Sequence, residues 1–336
     1  MKSDRITVAH GSGGKLSHDL LAEVIIPAFS NTALNEMHDG ARVEIAGAKL
    51  AFSTDSYVVK PLFFAGGDIG KLAICGTVND LAMCGADPLY LSAGFIIEEG
   101  FPIADLTRIV SSMQAVAAEA GVAIVTGDTK VVEKGAVDGL YINTAGVGAV
   151  LPGTDVSPNR IRPGQDVILS GTLGDHAVAV MAGRYGLELP PTIITDCAPL
   201  NRLVKEILTA VPQVAILRDP TRGGLATTLN ELAVQAGVGI MIEEGAIPVR
   251  DEVAAVCDLL GFDSLYLANE GKFLVIVEPN YTQSVLSVMH CHPYGREARV
   301  IGQVTAAPAG QVGLRTTVGG VRLLDMLVGD QLPRIC

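Results

Sequence analysis

The sequence has no tryptophan, few aromatic residues and no two cysteines spaced as CxxC. Its six cysteines stand far apart among 336 residues, which excludes a disulfide framework and indicates a reducing compartment. Basic residues are also scarce, 24 against 36 acidic ones, and the net charge of −12 argues against a nucleic-acid or membrane-surface partner. No apolar run is long enough to span a bilayer, and the N-terminus lacks the apolar core of a signal peptide. We therefore expect a soluble, cytoplasmic protein.

What the sequence does have is typical of a layered α/β protein. Hydrophobic residues make up 49% of the chain and glycine occurs 38 times, so packed layers joined by tight turns are expected. Proline, glycine and asparagine cluster over 151–166, which predicts a domain boundary there. We therefore expect an N-terminal domain over 1–153, a C-terminal α/β domain over 154–322 and a flexible tail over 323–336 that ends in Cys336.

Strands and helices alternate along both predicted domains. The stretches 41–46 and 49–54 flank Gly47 and predict a hairpin. The stretch 68–85 predicts a helix that Asp68 caps and Gly85 ends. The run 122–130 predicts a buried strand that breaks into a turn. Further strands are expected at 89–97, 139–150, 166–171 and 272–279, and further helices at 104–121, 174–186, 200–211, 223–237 and 251–261.

Two aspartates lie on either side of the predicted hairpin. Residue 47 is the midpoint between Asp39 and Asp55, so a simple register would place their Cβ atoms roughly 5 Å apart. Two carboxylates at that distance repel each other unless a cation lies between them, and Mg²⁺ binds a few carboxylates together with substrate phosphates. The alternative is a pair of solvated turn aspartates.

Two more aspartates stand where an unpaired carboxylate is unusual. Asp80 lies inside an otherwise apolar helix, and Asp128 directly follows the strand predicted to be buried. Asp68 precedes Asp80 by 12 residues, roughly 18 Å along a helix, so the two cannot share one ion. We therefore interpret Asp68 as a helix cap.

Three polar turns are candidate ligand sites. The stretch "HGSGGK" (10–15) suits phosphate binding, although its spacing is not that of a P-loop. In "LRDPTRGGL" (217–225) a turn opens onto a helix, with Asp219 and Arg222 beside an N-terminus suited to an anion. In "NEGKF" (269–273) Glu270 precedes a buried strand. Each is also consistent with ordinary capping or turn chemistry, and the cluster at 290–292 is interpreted as a surface turn.

Taken together, these motifs resemble one known family. "STDS", "GGDIGKLAICGTVNDLAMCGADP", "TGDTK", "DPTRGGL" and the terminal "PRIC" are similar to the HypE family of hydrogenase maturation proteins over essentially the whole chain. That family belongs to a superfamily of ATP-using enzymes that includes aminoimidazole ribonucleotide synthetase. The resemblance implies a two-domain fold of that type, a homodimer formed through the N-terminal sheets, and ATP bound with Mg²⁺ between the domains.

The resemblance also implies a reaction and its partners. The carbamoyltransferase HypF places a carbamoyl group on the terminal thiol of Cys336. ATP-dependent dehydration then converts that S-carboxamide to an S-cyanide, which goes to iron on the HypC–HypD scaffold for [NiFe]-hydrogenase. A cysteine at the end of a flexible arm has the reach to visit all these sites, and Arg334 is expected to assist its thiolate.

Motif positions carry the family's roles onto particular residues. The implied metal ligands are Asp39, Asp55, Asp80 and Asp128. The implied nucleotide contacts are Gly11, Gly13, Gly14, Lys15, Asp55, Asn79, Asp128, Thr129 and Asp219. Lys130 is expected to stabilise the phosphoryl group in flight, and Glu270 to remove protons from the amide nitrogen.

Two rival hypotheses remain open. A small-molecule kinase or ATP-dependent cyclase of the same superfamily would share the fold, but its ATP turnover would not depend on Cys336. A cytosolic metal carrier that uses Cys336 and residues 290–292 would bind metal tightly and would not need the four aspartates.

Overall fold

The computed structural model describes residues 5–327, 329 and 334–336. Its helices are α1 (Lys15–Leu20), α2 (Ile26–Phe29), α3 (Ile69–Met83), α4 (Ile103–Ala120), α5 (Asp175–Tyr185), α6 (Asn201–Ala210), α7 (Gly224–Ala236), α8 (Asp251–Leu260) and α9 (Pro279–Cys291). Its strands are β1 (Ala41–Ile45), β2 (Ala48–Tyr57), β3 (Phe63–Phe64), β4 (Gly67–Asp68), β5 (Ala86–Glu98), β6 (Ala123–Val132), β7 (Leu140–Val150), β8 (Asp166–Leu169), β9 (Ile216–Arg218), β10 (Gly239–Glu243), β11 (Leu274–Val277), β12 (Arg299–Thr305), β13 (Val312–Arg315) and β14 (Val321–Leu323). The predicted mixed α/β architecture is confirmed.

Two main sheets form the framework. The first has five strands in the order β1-β2-β7-β5-β6, and the second has seven in the order β14-β13-β10-β12-β8-β11-β9. Neighbouring strands are antiparallel except for the pairs β5–β6 and β10–β13, which are parallel. The first sheet comes from residues 41–150 and the second from residues 166–323. The domain boundary near residue 153 stays a prediction.

The N-terminal hairpin forms as predicted, but its register differs by one residue. Ala41 pairs with Phe52 and Ile45 with Ala48, so the turn consists of Ala46 and Gly47 together. Both turn residues have positive φ, 52° and 84°, which is the requirement of the two-residue type I′ turn. The register predicted from a midpoint at residue 47 is therefore wrong, because the hairpin centre lies between the two turn residues.

Helix α3 is the buried centre of the molecule. Apart from Lys71 and Asp80, all of its 15 residues are buried, as expected for a helix that is apolar on every side. Helix α3 packs against strands β2, β5 and β7 of the first sheet. It also packs against helix α6 and strand β9 of the C-terminal half. The side chain of Asp68 accepts hydrogen bonds from the N–H groups of Gly70 and Lys71, which confirms the predicted cap.

Strand β6 was predicted to be buried, and this prediction is wrong. β6 is the edge strand of the first sheet, and every residue from Ala123 to Val131 is exposed. The apolar run matches an edge strand as well as a buried one, because a short apolar run does not report what covers it. The apolar side chains that this sheet leaves exposed are Val43, Ile45, Phe52, Leu89, Tyr90, Ile96, Ile124, Val125 and Val131.

The predicted flexible tail falls partly on residues 328 and 330–333, which lie outside the described residues. Arg334, Ile335 and Cys336 are described, and Ile335 packs into a core cluster that both halves of the chain form, with 5% of its surface exposed. Among the helices that the structure describes, none combines the length and apolarity needed to cross a membrane.

Candidate functional site

Four acidic residues come from separate parts of the chain, and three of them are close enough to repel the carboxyl group of the fourth, Asp80. Asp39 precedes β1, Asp55 lies on β2, Asp80 is near the end of α3, and Asp219 follows β9. Burial raises the pKa of the Asp80 carboxyl well above its ordinary value, and repulsion from the other three carboxylates raises it further. Burial likewise raises the pKa of Asp219 to about 6. The site therefore holds an excess of negative charge that favours a cation.

The two aspartates of the hairpin are not direct cross-strand neighbours, because of the one-residue register difference. Asp39 lies outside β1, and its side chain, 8% exposed, turns towards Arg218. Asp55 pairs with Thr144 and lies on the same face of β2 as Ser53 and Tyr57. Their proximity comes from the fold around α3 rather than from hairpin pairing.

Arg218 is a functional residue that the sequence reasoning missed. Its Nε lies 2.7 Å from Asp39 Oδ1, and its Nη2 lies 2.8 Å from Glu231 Oε2. Burial raises the pKa of Asp39 well above its ordinary value, and Arg218 opposes this shift. The sequence does contain a signal for such a residue. Arg218 directly follows the short apolar run "VAIL", and a charged side chain beside buried apolar residues needs a partner.

The glycine-rich loop lies over the same site. The Gly11 carbonyl accepts from Arg222 Nη1 at 3.4 Å, and a Cβ on Gly13, whose φ is 78°, would lie 2.6 Å from Arg222 Cβ. A Cβ on Gly14 would lie 2.3 Å from the Leu327 carbonyl oxygen, which also accepts from the Lys15 N–H. Both glycines are therefore required for close packing.

A cavity of about 410 Å³ separates this loop from the acidic residues. Gly11, Gly13, Asp39, Asp219 and Arg222 contribute to its walls. The cavity thus combines titratable carboxyl groups, a fixed cation and a glycine loop, which is the chemistry expected around a nucleotide's phosphates.

The Lys15 side chain is exposed, and it has no partner among the residues that the structure describes.

The last residue of the sequence reaches the same region. Arg222 Nη2 lies 3.6 Å from Asp55 Oδ1. The charge of Cys336 is the largest influence on the Arg222 guanidinium, whose pKa it raises. Burial raises the pKa of the Cys336 thiol above its ordinary value, Arg222 opposes this shift, and Glu270 adds to it. The partly buried thiol is therefore affected by a cation and by a buried carboxyl group, which act on its pKa in opposite directions.

Glu270 is 4% exposed, and its Oε1 has no hydrogen-bond partner in the described part of the chain. Burial raises its pKa well above the ordinary value, and Cys197 and Asp219 raise it further. Its backbone is firmly held, since its N–H donates to Asp196 Oδ1 at 3.1 Å. An unpaired buried carboxyl beside the thiol is suited to proton transfer.

The side chain of Asn79 hydrogen-bonds to backbone groups of the protein rather than facing an open site. Its Nδ2 donates to the carbonyl oxygens of Ala198 and Glu270, and its Oδ1 accepts from the Leu200 N–H at 2.8 Å. Both of its N–H donors are therefore used by the backbone. In the described structure Asn79 positions the Glu270 segment, and its predicted nucleotide contact stays a prediction.

Asp128, Thr129 and Lys130 are not brought to this site within one chain. One row across the sheet consists of Ser56, Asn143, Gly94 and Asp128, so Asp128 lies three strand spacings from β2, roughly 14 Å. It also faces the opposite side of the sheet from Asp55, because side chains alternate along a strand. Its carboxylate is exposed and pairs with Lys130 Nζ at 2.5 Å, which lowers its pKa.

The predicted four-aspartate metal set is therefore not assembled in one chain. Across residues 5–327, 329 and 334–336, no three His, Cys, Asp or Glu side chains are placed to hold a metal ion. The residues nevertheless fit a metal–nucleotide complex, because Asp39 Oδ2 is buried without a hydrogen-bond partner in the described structure. Residues 290–292 do not form a metal site either, since His290 Nε2 bonds the Ala298 carbonyl and His292 accepts from the Tyr294 N–H.

Comparison with known proteins places this geometry in a family. Residues 37–150 match the model of the AIR synthase related protein N-terminal domain, and residues 162–315 match that of its C-terminal domain. Carbamoyl dehydratase HypE of Cupriavidus necator is 52% identical over 337 residues, which cover 100% of this chain and 96% of the relative.

Solved structures of the same family are also similar to this chain. A crystal structure of hydrogenase maturation protein HypE in complex with ATP has a TM-score of 0.84 and 48% identity, covering 99% of this chain and 100% of the other. The crystal structure of a HypE–HypF complex has a TM-score of 0.87 and 49% identity over 92% of this chain and 99% of that one. With both domain models matched and half of the residues identical over the full length, this chain belongs to the HypE family of the AIR synthase-related proteins.

Proposed function

We propose that this protein catalyses the ATP-dependent dehydration of an S-carboxamide on Cys336 to an S-cyanide, which supplies the cyanide ligand of iron in [NiFe]-hydrogenase maturation. The observation that carries the proposal is that the Cys336 carbonyl accepts from the Val58 N–H at 3.3 Å, directly after the strand that carries Asp55, and that Arg222 and Glu270 are the side chains that most affect its thiol. The relatives at about 50% identity are named carbamoyl dehydratases, which supports the same reaction here.

ATP is the proposed co-substrate, and its phosphates would lie in the cavity under the glycine-rich loop. Gly13 and Gly14 let the loop approach closely, Gly11 contributes to the wall of the cavity, and Arg222 supplies a fixed cation. The crystal structure of a HypE in complex with ATP supports nucleotide binding by this fold.

We propose that Asp39, Asp55, Asp80 and Asp219 hold Mg²⁺ only jointly with the phosphates of the nucleotide, since no three of them are placed around one ion in the described residues. When bound, Mg²⁺ neutralises charge on the carboxylates and phosphates. The buried, unpaired Asp39 Oδ2 and the raised pKa values of Asp39 and Asp80 support this assignment. Arg218 fixes the other oxygen of Asp39, so that Oδ2 keeps its direction.

The proposed reaction balances as follows. The carboxamide oxygen attacks the γ-phosphorus of ATP, ADP leaves, and the nitrogen loses one proton to give an S-bound phosphorylated imidate. Cleavage of the C–O bond then releases phosphate, while the nitrogen loses its second proton and the C≡N bond forms. An amide oxygen leaves poorly and a phosphate leaves well, which is why ATP is needed.

Glu270 is the proposed acceptor of those protons. Burial raises its pKa well above that of an ordinary glutamate, which makes the carboxylate a stronger base. Asn79 and Asp196 hold its backbone on two sides and so fix the base relative to the thiol.

We further propose that a second copy of the chain delivers Asp128, Thr129 and Lys130. The exposed apolar side chains of the first sheet, with Phe52 and Tyr90 in one row, give a surface suited to a homodimer. Lys130 would then stabilise the phosphoryl group from across the interface. The proposed partners are the carbamoyltransferase HypF, in keeping with the solved HypE–HypF complex, and the HypC–HypD iron scaffold.

The deciding experiment is an intact-mass measurement. The protein is incubated with a carbamoyltransferase of the HypF type, carbamoyl phosphate and Mg-ATP. We expect a carbamoyl adduct on Cys336 that then loses the mass of one water. The Cys336→Ser variant should give neither product, while Cys291→Ser, which changes an exposed cysteine elsewhere, should give both.

The kinase or cyclase alternative makes the opposite prediction. It requires steady ATP turnover in Cys336→Ser with an added small-molecule substrate, and an unmodified thiol in the wild type. The metal-carrier alternative has no support in the described structure, which brings no three ligand side chains together at residues 290–292.

A further inference from the structure

Glu270 is one end of a line of three buried acidic residues, which we call the carboxyl line. The Glu270 N–H donates to Asp196 Oδ1 at 3.1 Å, so these two residues are neighbours. The charge of Asp196 acts in turn on the carboxyl of Asp175, the first residue of α5. The side chains of Asp175 and Asp196 are each only 2% exposed. The carboxyl line therefore leads from the proposed base into the C-terminal half of the chain.

Each member of the carboxyl line has one unpaired oxygen. Glu270 Oε1, Asp196 Oδ2 and Asp175 Oδ1 are buried, and none has a hydrogen-bond partner in the described part of the chain. Buried polar groups are almost always hydrogen-bonded to protein or to ordered water, and one buried water typically joins about three such groups. The three oxygens therefore fit hydrogen bonds to buried water molecules.

Two cations lie beside the carboxyl line. Lys272 Nζ is 3.3 Å from Asp196 Oδ2, and Arg250 Nε is 3.5 Å from Asp175 Oδ1, but neither contact has the geometry of a hydrogen bond. Lys272 can lie there because residue 171 is a glycine, where a Cβ would be 3.0 Å from Lys272 Cε. The two cations offset the charge of two carboxylates that burial would otherwise disfavour.

The carboxyl line reaches the surface at Arg250. This side chain is 39% exposed, and its Nη1 donates to the Thr192 carbonyl at 3.1 Å. Asp175 is held beside it, since its Oδ2 accepts from the Thr172 hydroxyl. Burial raises the pKa of the Asp175 carboxyl, and the bond from Thr172 opposes this shift. A carboxyl with a raised pKa near the surface is suited to exchange protons with solvent.

The other titratable side chains beside Asp196 stay neutral. Burial lowers the pKa of His176 on α5 and raises the pKa of Cys197 well above its ordinary value. Neither side chain therefore carries a charge at neutral pH. The charged proton acceptors next to Asp196 are the two other members of the carboxyl line.

The proposed reaction needs an exit for protons. It removes two protons from one nitrogen, and a single carboxylate holds only one at a time. Glu270 is 4% exposed, so its first proton has to leave through other groups before the second one arrives.

We propose that Asp196 and Asp175 form a proton exit from Glu270, in which buried water molecules join the carboxyl groups and Arg250 marks the solvent end. The proton of the Glu270 carboxyl passes to the Asp196 carboxylate, then to the Asp175 carboxylate and then to solvent. Each donor becomes a carboxylate again, and no other bond changes. The use of this exit in catalysis rests on the proposed function, whereas exchange of the Glu270 proton with solvent does not.

Proton exchange at Glu270 tests the exit without the reaction. The protein is kept at mildly acidic pH, where a carboxyl with a raised pKa is protonated, and is mixed rapidly with D₂O. Infrared spectroscopy follows the shift of the C=O band of protonated carboxyl groups. The Glu270 band is assigned by its loss in Glu270→Gln. The rate of its shift is the rate at which this proton reaches solvent.

Asp196→Asn and Asp175→Asn block the exit but keep its hydrogen bonds. The new amide oxygens still accept from the Glu270 N–H and the Thr172 hydroxyl, whereas an amide carries no proton between acids. We expect exchange at Glu270 to be roughly ten-fold slower in each variant. Asp175→Glu keeps a carboxyl group and should restore most of the rate.

Asp166→Asn is the matched control. Asp166 lies on β8 and also accepts from a threonine hydroxyl, that of Thr282, at 2.7 Å. This variant should leave exchange at Glu270 unchanged. Urea unfolding identifies any variant that does not fold, and Asp175→Asn then decides the outcome if Asp196→Asn is lost.

The rate of dehydration is the second measurement. Intact mass follows the loss of water from carbamoylated Cys336, which should be roughly ten-fold slower in both asparagine variants. Added imidazole carries protons and should recover part of the rate in Asp175→Asn, whose altered residue lies beside the half-exposed Arg250. A variant that is only misfolded would not respond to imidazole.

The outcomes separate the exit from the proposed reaction. Exchange at Glu270 that is equally fast in the wild type and in the folded asparagine variants would overturn the exit and show that the proton leaves through the cavity beside the thiol. Slower exchange in these variants, but not in Asp166→Asn, would support it. Slower exchange in a protein that never dehydrates its carbamoyl group would refute the reaction and keep the exit. Dehydration with unchanged exchange would do the reverse.

Discussion

The side-chain amide of Asn79 donates to the carbonyl oxygen of Glu270 at 3.2 Å and so ties α3 to the segment that carries the proposed base. The same side chain bonds Ala198 and Leu200, so one residue of the N-terminal half fixes two segments of the C-terminal half. The relative position of the thiol, the base and the acidic cluster depends on this junction.

Asn79→Ala should destabilise the protein by about 3 kcal/mol, because three buried backbone groups lose their partner. Urea unfolding measures the loss. Asn280→Ala, which changes an exposed asparagine of α9, should stay within about 0.5 kcal/mol of the wild type. A loss at Asn79 below about 1 kcal/mol would contradict the junction role.

Arg218→Gln should lower the free energy of unfolding by about 3–5 kcal/mol, since it leaves the buried Asp39 and the partly buried Glu231 without their cation. The matched control is Arg315→Gln, which breaks an exposed pair with Glu243 and should cost less than about 1 kcal/mol. Equal losses in the two variants, measured by denaturant unfolding, would show that the Arg218 pair is not buried as described.

Asp219 should make stability fall as pH rises. Its pKa is about 6 in the folded protein against an ordinary 3.8, so the folded state binds more protons between these values. Stability from this group is therefore lost as pH rises from about 4 to about 6, by about 3 kcal/mol at 1.36 kcal/mol per pH unit. The free energy of unfolding, measured from pH 4 to 8, should decline less steeply in Asp219→Asn than in the wild type.

Gly13→Ala should weaken ATP binding about ten-fold, because the new Cβ would lie 2.6 Å from Arg222 Cβ and displace the guanidinium. Gly47→Ala is the control: it has a similar positive φ of 84°, but a Cβ added there would meet no atom within 4 Å. Both should lose about 1–2 kcal/mol of stability through backbone strain. Calorimetric titration with ATP should separate them, and equal affinities would contradict the role given to Gly13.

Phe52→Glu should abolish dimer formation if the exposed face of the first sheet is the interface. Phe52 is 45% exposed and lies in one row with Tyr90. Leu259→Glu changes a residue of α8 that is 74% exposed and should leave the oligomeric state unchanged. Light scattering gives the mass, and a Phe52→Glu dimer would refute this interface.

Much of the fold could be predicted locally. Helix α3 and its Asp68 cap follow from an apolar run after a capping residue, and both are confirmed. The hairpin is confirmed, but its predicted register was wrong, because Ala46 and Gly47 together form the two-residue turn. The exposure of β6 depends on what covers a strand, and an apolar run carries no such information.

The candidate site was predicted only in part. Asp39, Asp55, Asp80 and Asp219 come together, whereas Asp128 lies on the far side of the sheet. The apolar run before Arg218 indicated that this residue needs a partner, but only the structure shows that the partners are Asp39 and Glu231.

The sequence by itself determined the α/β pattern, the buried helix, the glycine-rich loop and the family, because these depend on residue types at short, fixed spacings. The tertiary structure alone decided which carboxylates share a site, which cation opposes them and where the last three residues bind. Val58 and Cys336 lie 278 positions apart and still form a hydrogen bond. No local pattern encodes such a contact, because it depends on how both halves of the chain pack around α3.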